Sequence, residues 1–189
     1  MKRIIITTFM MASALMLVTN CGGPKKLEKQ AGMEEVALPL SGKEYQSDKE
    51  YYRAKGSGKS PDISTAKKIA LNNAKAEIAG LINSTIKTVT DNYVNQRAVA
   101  DAQDFESKFE SLTREVVNQQ LVDVSIIGEK LFQKDKTYEY WVAIEVSKKA
   151  ILEGINNSIS KNQKLAIDYD KKKFEEIYNQ EMEKMQQQQ

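Results

Sequence analysis

The sequence predicts an α+β fold: a small antiparallel sheet, in the order β-α-α-β-β-α, packed on a long amphipathic helix, with a further helix at the C-terminus. Three observations predict it. Ala66, Ile69, Ala70, Ala74, Ile78, Leu81, Ile82, Ile86, Val89 and Tyr93 recur every three or four positions, the period of a helix with one buried face. Tyr138, Tyr140, Val142, Ile144 and Val146 alternate with Glu139, Trp141, Ala143 and Glu145, the period of a half-buried strand. Lys134-Asp135-Lys136 forms a polar turn before that strand, so it pairs with the apolar stretch ahead of it as a hairpin. Strands and helices ordered this way describe an α+β domain.

The chain opens with a basic start, Met1-Lys2-Arg3, an apolar run over residues 4–18, and then Thr19-Asn20-Cys21-Gly22-Gly23. These are the n-region, h-region and processing site of a secretory signal, so residues 1–20 are read as a lipoprotein signal peptide. The apolar run is about 15 residues, which as a helix reaches roughly 22 Å, short of the ~30 Å hydrocarbon core. It suits a transient span. Val18-Thr19-Asn20-Cys21 resembles a lipobox, with Asn20 departing from the small residue usual before the cysteine. Cys21, the only cysteine, is the expected lipidation site, carrying diacylglycerol by a thioether and an N-acyl chain on its amine. Two or more chains anchor stably, each buried CH₂ contributing about 0.8 kcal/mol. Gly22 replaces the aspartate that favours inner-membrane retention, so the expected destination is the outer membrane.

The formal net charge of +2 resides in the signal, since Lys2 and Arg3 leave with it and no acid does. A neutral mature chain lacks the concentrated positive charge that nucleic acid requires, and no nucleic-acid partner is expected. Lys25-Lys26 and Lys171-Lys172-Lys173 are local exceptions; the first adjoins the expected anchor, where each lysine adds about 1 kcal/mol at an anionic surface. With Cys21 acylated no intrachain disulfide forms, and roughly 170 residues must hold together by their apolar core alone. The absence of histidine removes triad hydrolysis and histidine-bound zinc.

Residues 21–49, rich in Gly, Lys and Glu, read as a flexible tether. The apolar piece Val36-Ala37-Leu38-Pro39-Leu40 is available to dock, although Pro39 argues against a central strand. Residues 50–160 form the expected domain. Its first strand is Tyr51-Tyr52-Arg53-Ala54-Lys55-Gly56; Ser60 is the expected N-cap of the long helix, with Pro61 in its first turn and Asp62 near the positive end of its dipole. A second helix carries Phe105, Phe109, Leu112 and Val116, after a break within residues 101–104. Val122, Val124 and Ile126 then read as a half-buried strand, and the phase slip at Ile126-Ile127-Gly128 predicts a bulge. Ala150, Ile151, Leu152 and Ile155 begin a third helix. Residues 161–189 form an amphipathic helix bearing Leu165, Phe174, Ile177, Tyr178 and Met182, ending in a glutamine tail.

Arg53-Ala54-Lys55-Gly56-Ser57-Gly58, Asp62, the alanines Ala66, Ala70 and Ala74, and the final strand Tyr140-Trp141-Val142-Ala143-Ile144-Glu145-Val146 resemble the LPP20-type bacterial envelope lipoproteins. The likeness spans about half the chain, from Tyr51 to Val146. It implies an exported, lipid-anchored, non-enzymatic module, and it carries no catalytic residues over.

Gly56-Ser57-Gly58-Lys59-Ser60 ends like a P-loop, but Arg53 stands where the first glycine is required, and Pro61 removes an amide that should face phosphate. Ser57, Lys59 and Ser60 would suit serine-lysine chemistry only if the lysine were buried. Asp123, Glu139 and Glu145 fall opposite the apolar strand faces and read as solvated. No catalytic residue, no metal ligand and no bound cofactor beyond the lipid on Cys21 is expected. The candidate binding surface is aromatic: Tyr51, Tyr52 and Trp141, with packing as the competing role. The sequence thus predicts a non-enzymatic binding or scaffold module of the envelope. Its partners would be the membrane, through the anchor, and an envelope protein or cell-wall component. The alternatives are an envelope hydrolase with a His-free site, marked by a deep polar pocket, and a structural subunit assembling through its long helices, marked by an exposed apolar stripe on the last helix.

Overall fold

A computed structural model describes residues 29–30, 33–34, 36–97, 99 and 101–187. The expected signal peptide, Cys21 and Lys25-Lys26 lie outside the described residues. The chain divides into two units, residues 1–36 and 37–189. In the first, β1 (Lys29–Gln30) and β2 (Met33–Glu34) pair antiparallel.

The second unit is an α+β domain. Its sheet has three antiparallel strands, β3 (Tyr51–Ser60), β4 (Ser125–Lys134) and β5 (Thr137–Ser147), in the order β3-β5-β4. The strongest alternation lies on β5, and β5 is central. β4 pairs with it through a bulge that leaves Ile127 unmatched between Ile126 and Gly128, as the phase slip predicts. The hairpin closes on Asp135-Lys136, with Asp135 at φ 55°.

The long helix α1 (Ile63–Gln96) has 34 residues, about 51 Å at 1.5 Å each. Its N-terminal half lies across β3 and β5, burying Ala66, Ala70 and Ala74 completely. The strand beneath supplies Gly56 and Gly58 at the contact. A Cβ on Gly56 would collide with the Ala70 carbonyl oxygen and the Ala74 amide, and one on Gly58 would come within 2.6 Å of the Ala70 nitrogen. The G-x-G of β3 and the alanine stripe of α1 therefore answer one requirement, close backbone approach. The N-cap is Asp62, accepting from the Thr65 amide at 2.7 Å, rather than Ser60. Ser60 pairs with Tyr138 and extends the strand, so the helix starts two residues late.

The C-terminal half of α1 outruns the sheet and is covered by α2 (Ala102–Gln120) and α5 (Lys171–Gln187). Asp101 caps α2 by accepting from the Asp104 amide at 3.0 Å. Tyr93, Phe105, Phe109, Tyr169 and Phe174 form an aromatic cluster with ring centroids 5.1 to 6.4 Å apart. α3 (Lys148–Lys161) follows β5 directly, capped by Ser147. The last helical stretch is two helices, α4 (Gln163–Asp168) and α5, broken at Tyr169-Asp170. The Tyr93 hydroxyl spans the break, donating to the Asp168 carbonyl at 2.8 Å and accepting from the Asp170 amide at 2.7 Å. Among the described residues, no helix is long and apolar enough to cross a membrane.

Two further expectations differ from the structure. Val122 is 80 % exposed in a turn, and β4 begins only at Ser125 as a largely exposed edge, because α1 lies across β3 and β5. The domain also begins before residue 50. Leu40 is 3 % exposed, and a Cβ on Gly128 would come within 2.6 Å of the Tyr45 ring and 3.1 Å of Leu40. Ser47 accepts from the Arg53 amide at 2.8 Å, while Asp48 accepts from the Glu50 and Tyr51 amides and pairs with Arg53. This segment straps the outer face of the sheet.

Candidate functional site

The three aromatic candidates do not share a surface. Tyr51 and Tyr52 are consecutive on β3 and so face opposite sides of the sheet. Tyr52 has no exposed surface; its hydroxyl meets that of Tyr178 at 3.2 Å and the sulfur of Met182 at 3.5 Å. It is a core residue and forms no part of a binding surface. Trp141 pairs with Ser57, six positions along the strand from the Tyr51 pairing, or about 20 Å away.

The glycine-rich stretch is no loop. Gly56 to Ser60 lie within β3 in register with β5, so their amides point alternately to opposite edges of an extended strand and do not converge on a phosphate. Lys59 is largely exposed and faces Glu139 at 3.4 Å, so it lacks the burial that serine-lysine chemistry needs. Glu145 is paired with Arg53 at 2.9 Å. Among the described residues, no three His, Cys, Asp or Glu side chains gather at metal-binding spacing.

The chemistry collects instead where β3 begins and β5 ends. A cavity of about 400 Å³ opens there, walled by Lys49, Glu50, Tyr51, Ser147, Lys148, Lys149, Leu152, Tyr178, Asn179 and Met182. Lys148 dominates it. The alternation of β5 places inward-facing Val146 two residues before it, and the α3 stripe of Ile151, Ile155 and Ile159 continues from it. Both periods put position 148 in the core, and the side chain is only 4 % exposed. Its backbone is fixed at both ends: the amide donates to the Glu50 carbonyl at 2.9 Å, and the carbonyl accepts from the Tyr178 hydroxyl at 3.1 Å.

The Lys148 ammonium lies 5.0 Å from the centre of the Tyr52 ring, a cation–π contact. Among the described residues no carboxylate comes within 4.0 Å of it. Burial pushes its pKa below the ordinary lysine range, and the charge of Asp48 only partly opposes this. Asp48 is itself engaged. Burial would raise its carboxyl, but the Glu50 and Tyr51 amides and the Arg53 guanidinium together hold it below the usual range. Burial pushes the Tyr178 phenol up to about 12, so it remains a donor at neutral pH.

A second groove of about 400 Å³ runs between α1 and α2, with Ile86 and Phe109 among its lining and the ion pairs Lys87–Asp91 and Arg114–Glu110 beside it. Thr113 is 3 % exposed there, and its hydroxyl oxygen is buried without a partner. Both of those ion pairs close within one helix, and Glu106 is the lining carboxylate outside them.

Sequence reasoning missed Lys148, although a signal was present. A lysine continuing both a strand alternation and a helix stripe stands in a core position of each. Compared with protein-family models, with curated proteins and with solved structures, the chain finds no match in any of the three.

Proposed function

We propose that this chain is a lipid-anchored lipoprotein of the bacterial outer membrane whose folded domain acts by binding rather than by catalysis. The observation that carries the binding role is the cavity around Lys148, a concave site of small-molecule size lined by a buried lysine that has no ion-pair partner among the described residues. The anchor rests on Cys21, placed after an apolar run too short for a permanent span, and the LPP20-type likeness of β3, α1 and β5 supports the same class. Assembly through the last helix loses its main support, because Phe174, Ile177, Tyr178 and Met182 are buried within their own domain.

One feature favours a hydrolase as the second reading: a buried lysine with a depressed pKa is what serine-lysine chemistry requires. Ser147 is adjacent in sequence, but its hydroxyl accepts from the Ala150 amide at 3.3 Å and caps α3. Metabolic labelling with a radioactive fatty acid tests the anchor. The wild-type chain incorporates label and sediments with outer membranes; Cys21→Ser incorporates none, and a labelled Cys21→Ser chain would sink the proposal.

A further inference from the structure

Building on the binding role proposed above, we infer that the cavity between the start of β3, the first turn of α3 and α5 takes a small amphipathic monocarboxylate. Lys148 would hold the carboxylate, and Leu152, Met182 and Tyr51 would line the apolar part. The indication of a ligand is the ammonium itself. The residue is 4 % exposed, none of the described carboxylates forms an ion pair with it, and it lines an open cavity rather than a sealed core. Stability alone does not account for it. A methionine at this position would continue the Val146 and Ile151 stripe with no desolvation cost, and the Tyr52 ring offsets only part of that cost. A buried cation of this kind is at its most stable with an anion beside it.

The charge balance selects a single negative charge. Lys49 and Glu50 in the cavity wall are both exposed and offset one another, and Asp48 is held by Arg53, which leaves Lys148 as the one buried charge for a single carboxylate to match. Lys149 is mostly exposed and faces Glu153 at 3.8 Å, so it adds little fixed positive charge. The Asn179 side chain is the neutral group available to the second carboxylate oxygen, and the volume suits a short acyl chain.

The test uses the full chain in a neutral detergent, with hexanoate, hexanol and hexyl phosphate as probes and detergent-only titrations subtracted. Hexanoate is expected to bind by calorimetry and to protect Lys148, but not Lys149, from amine acylation as read by peptide mass spectrometry. Lys148→Met is expected to weaken hexanoate by roughly 30-fold or more. Should Lys148→Met fail to fold, the protection pattern on the wild-type chain decides alone. Unchanged hexanoate affinity in a folded Lys148→Met chain overturns the assignment. Tighter binding of hexyl phosphate overturns the carboxylate class while leaving the binding role standing. Protection by none of the three probes removes both.

Discussion

The two halves of α1 meet the rest of the protein in different ways. From Ala66 to Ala74 the helix touches β3 backbone to backbone, through alanines above and Gly56 and Gly58 below. From Ile78 to Tyr93 it presents aliphatic and aromatic side chains, which interlock with those of α2 and α5. The first contact has no side-chain volume to rearrange; the second is made of rotamers that shift and refill. Identical changes in carbon count should therefore cost very different amounts in the two halves.

The sharpest test adds one methyl to the strand beneath the first half and removes one from the second half. Gly56→Ala places a carbon against the Ala70 carbonyl and Ala74 amide, so urea unfolding should register a loss of about 3 kcal/mol or outright failure to fold. Ile82→Val should lose only about 1 kcal/mol. Equal costs would break the distinction. Next comes Tyr93→Phe. It keeps the ring in the aromatic cluster but strips the hydroxyl from the Asp168 carbonyl and Asp170 amide, with an expected loss of about 2 kcal/mol by the same measurement. The smallest effect has the opposite sign. Thr113→Val removes an unpartnered buried hydroxyl at nearly constant volume and should gain about 1 kcal/mol, raising the thermal midpoint.

These contrasts also mark what the sequence made legible. α1, β5 and the bulge at Ile126–Gly128 were readable because each carries a periodic pattern long enough to name its buried face. The Tyr51-Tyr52 pair was not. A strand's alternation defines two faces, and only the partner elements decide which is covered; here Tyr178 and Met182, more than 120 residues away, bury Tyr52. The strap over residues 40–48 was hidden for a related reason, since its polar composition suits a linker and its contacts wait on Arg53 and Gly128. The break at Tyr169-Asp170 falls inside an uninterrupted helical pattern, because what spans it is a hydroxyl from α1. Lys148 was overlooked for the opposite reason. Its charge marks it as solvated, while both flanking periods bury it.

Tension is where the strap has its consequence. Any pull from upstream of Leu40 meets the Tyr45, Ser47 and Asp48 contacts before it can reach the strand ladder. Their rupture would release a short length of chain while β3 stays paired, much as slack in a mooring line spares the cleat. A domain held at its front end in this way can be tugged without being unzipped.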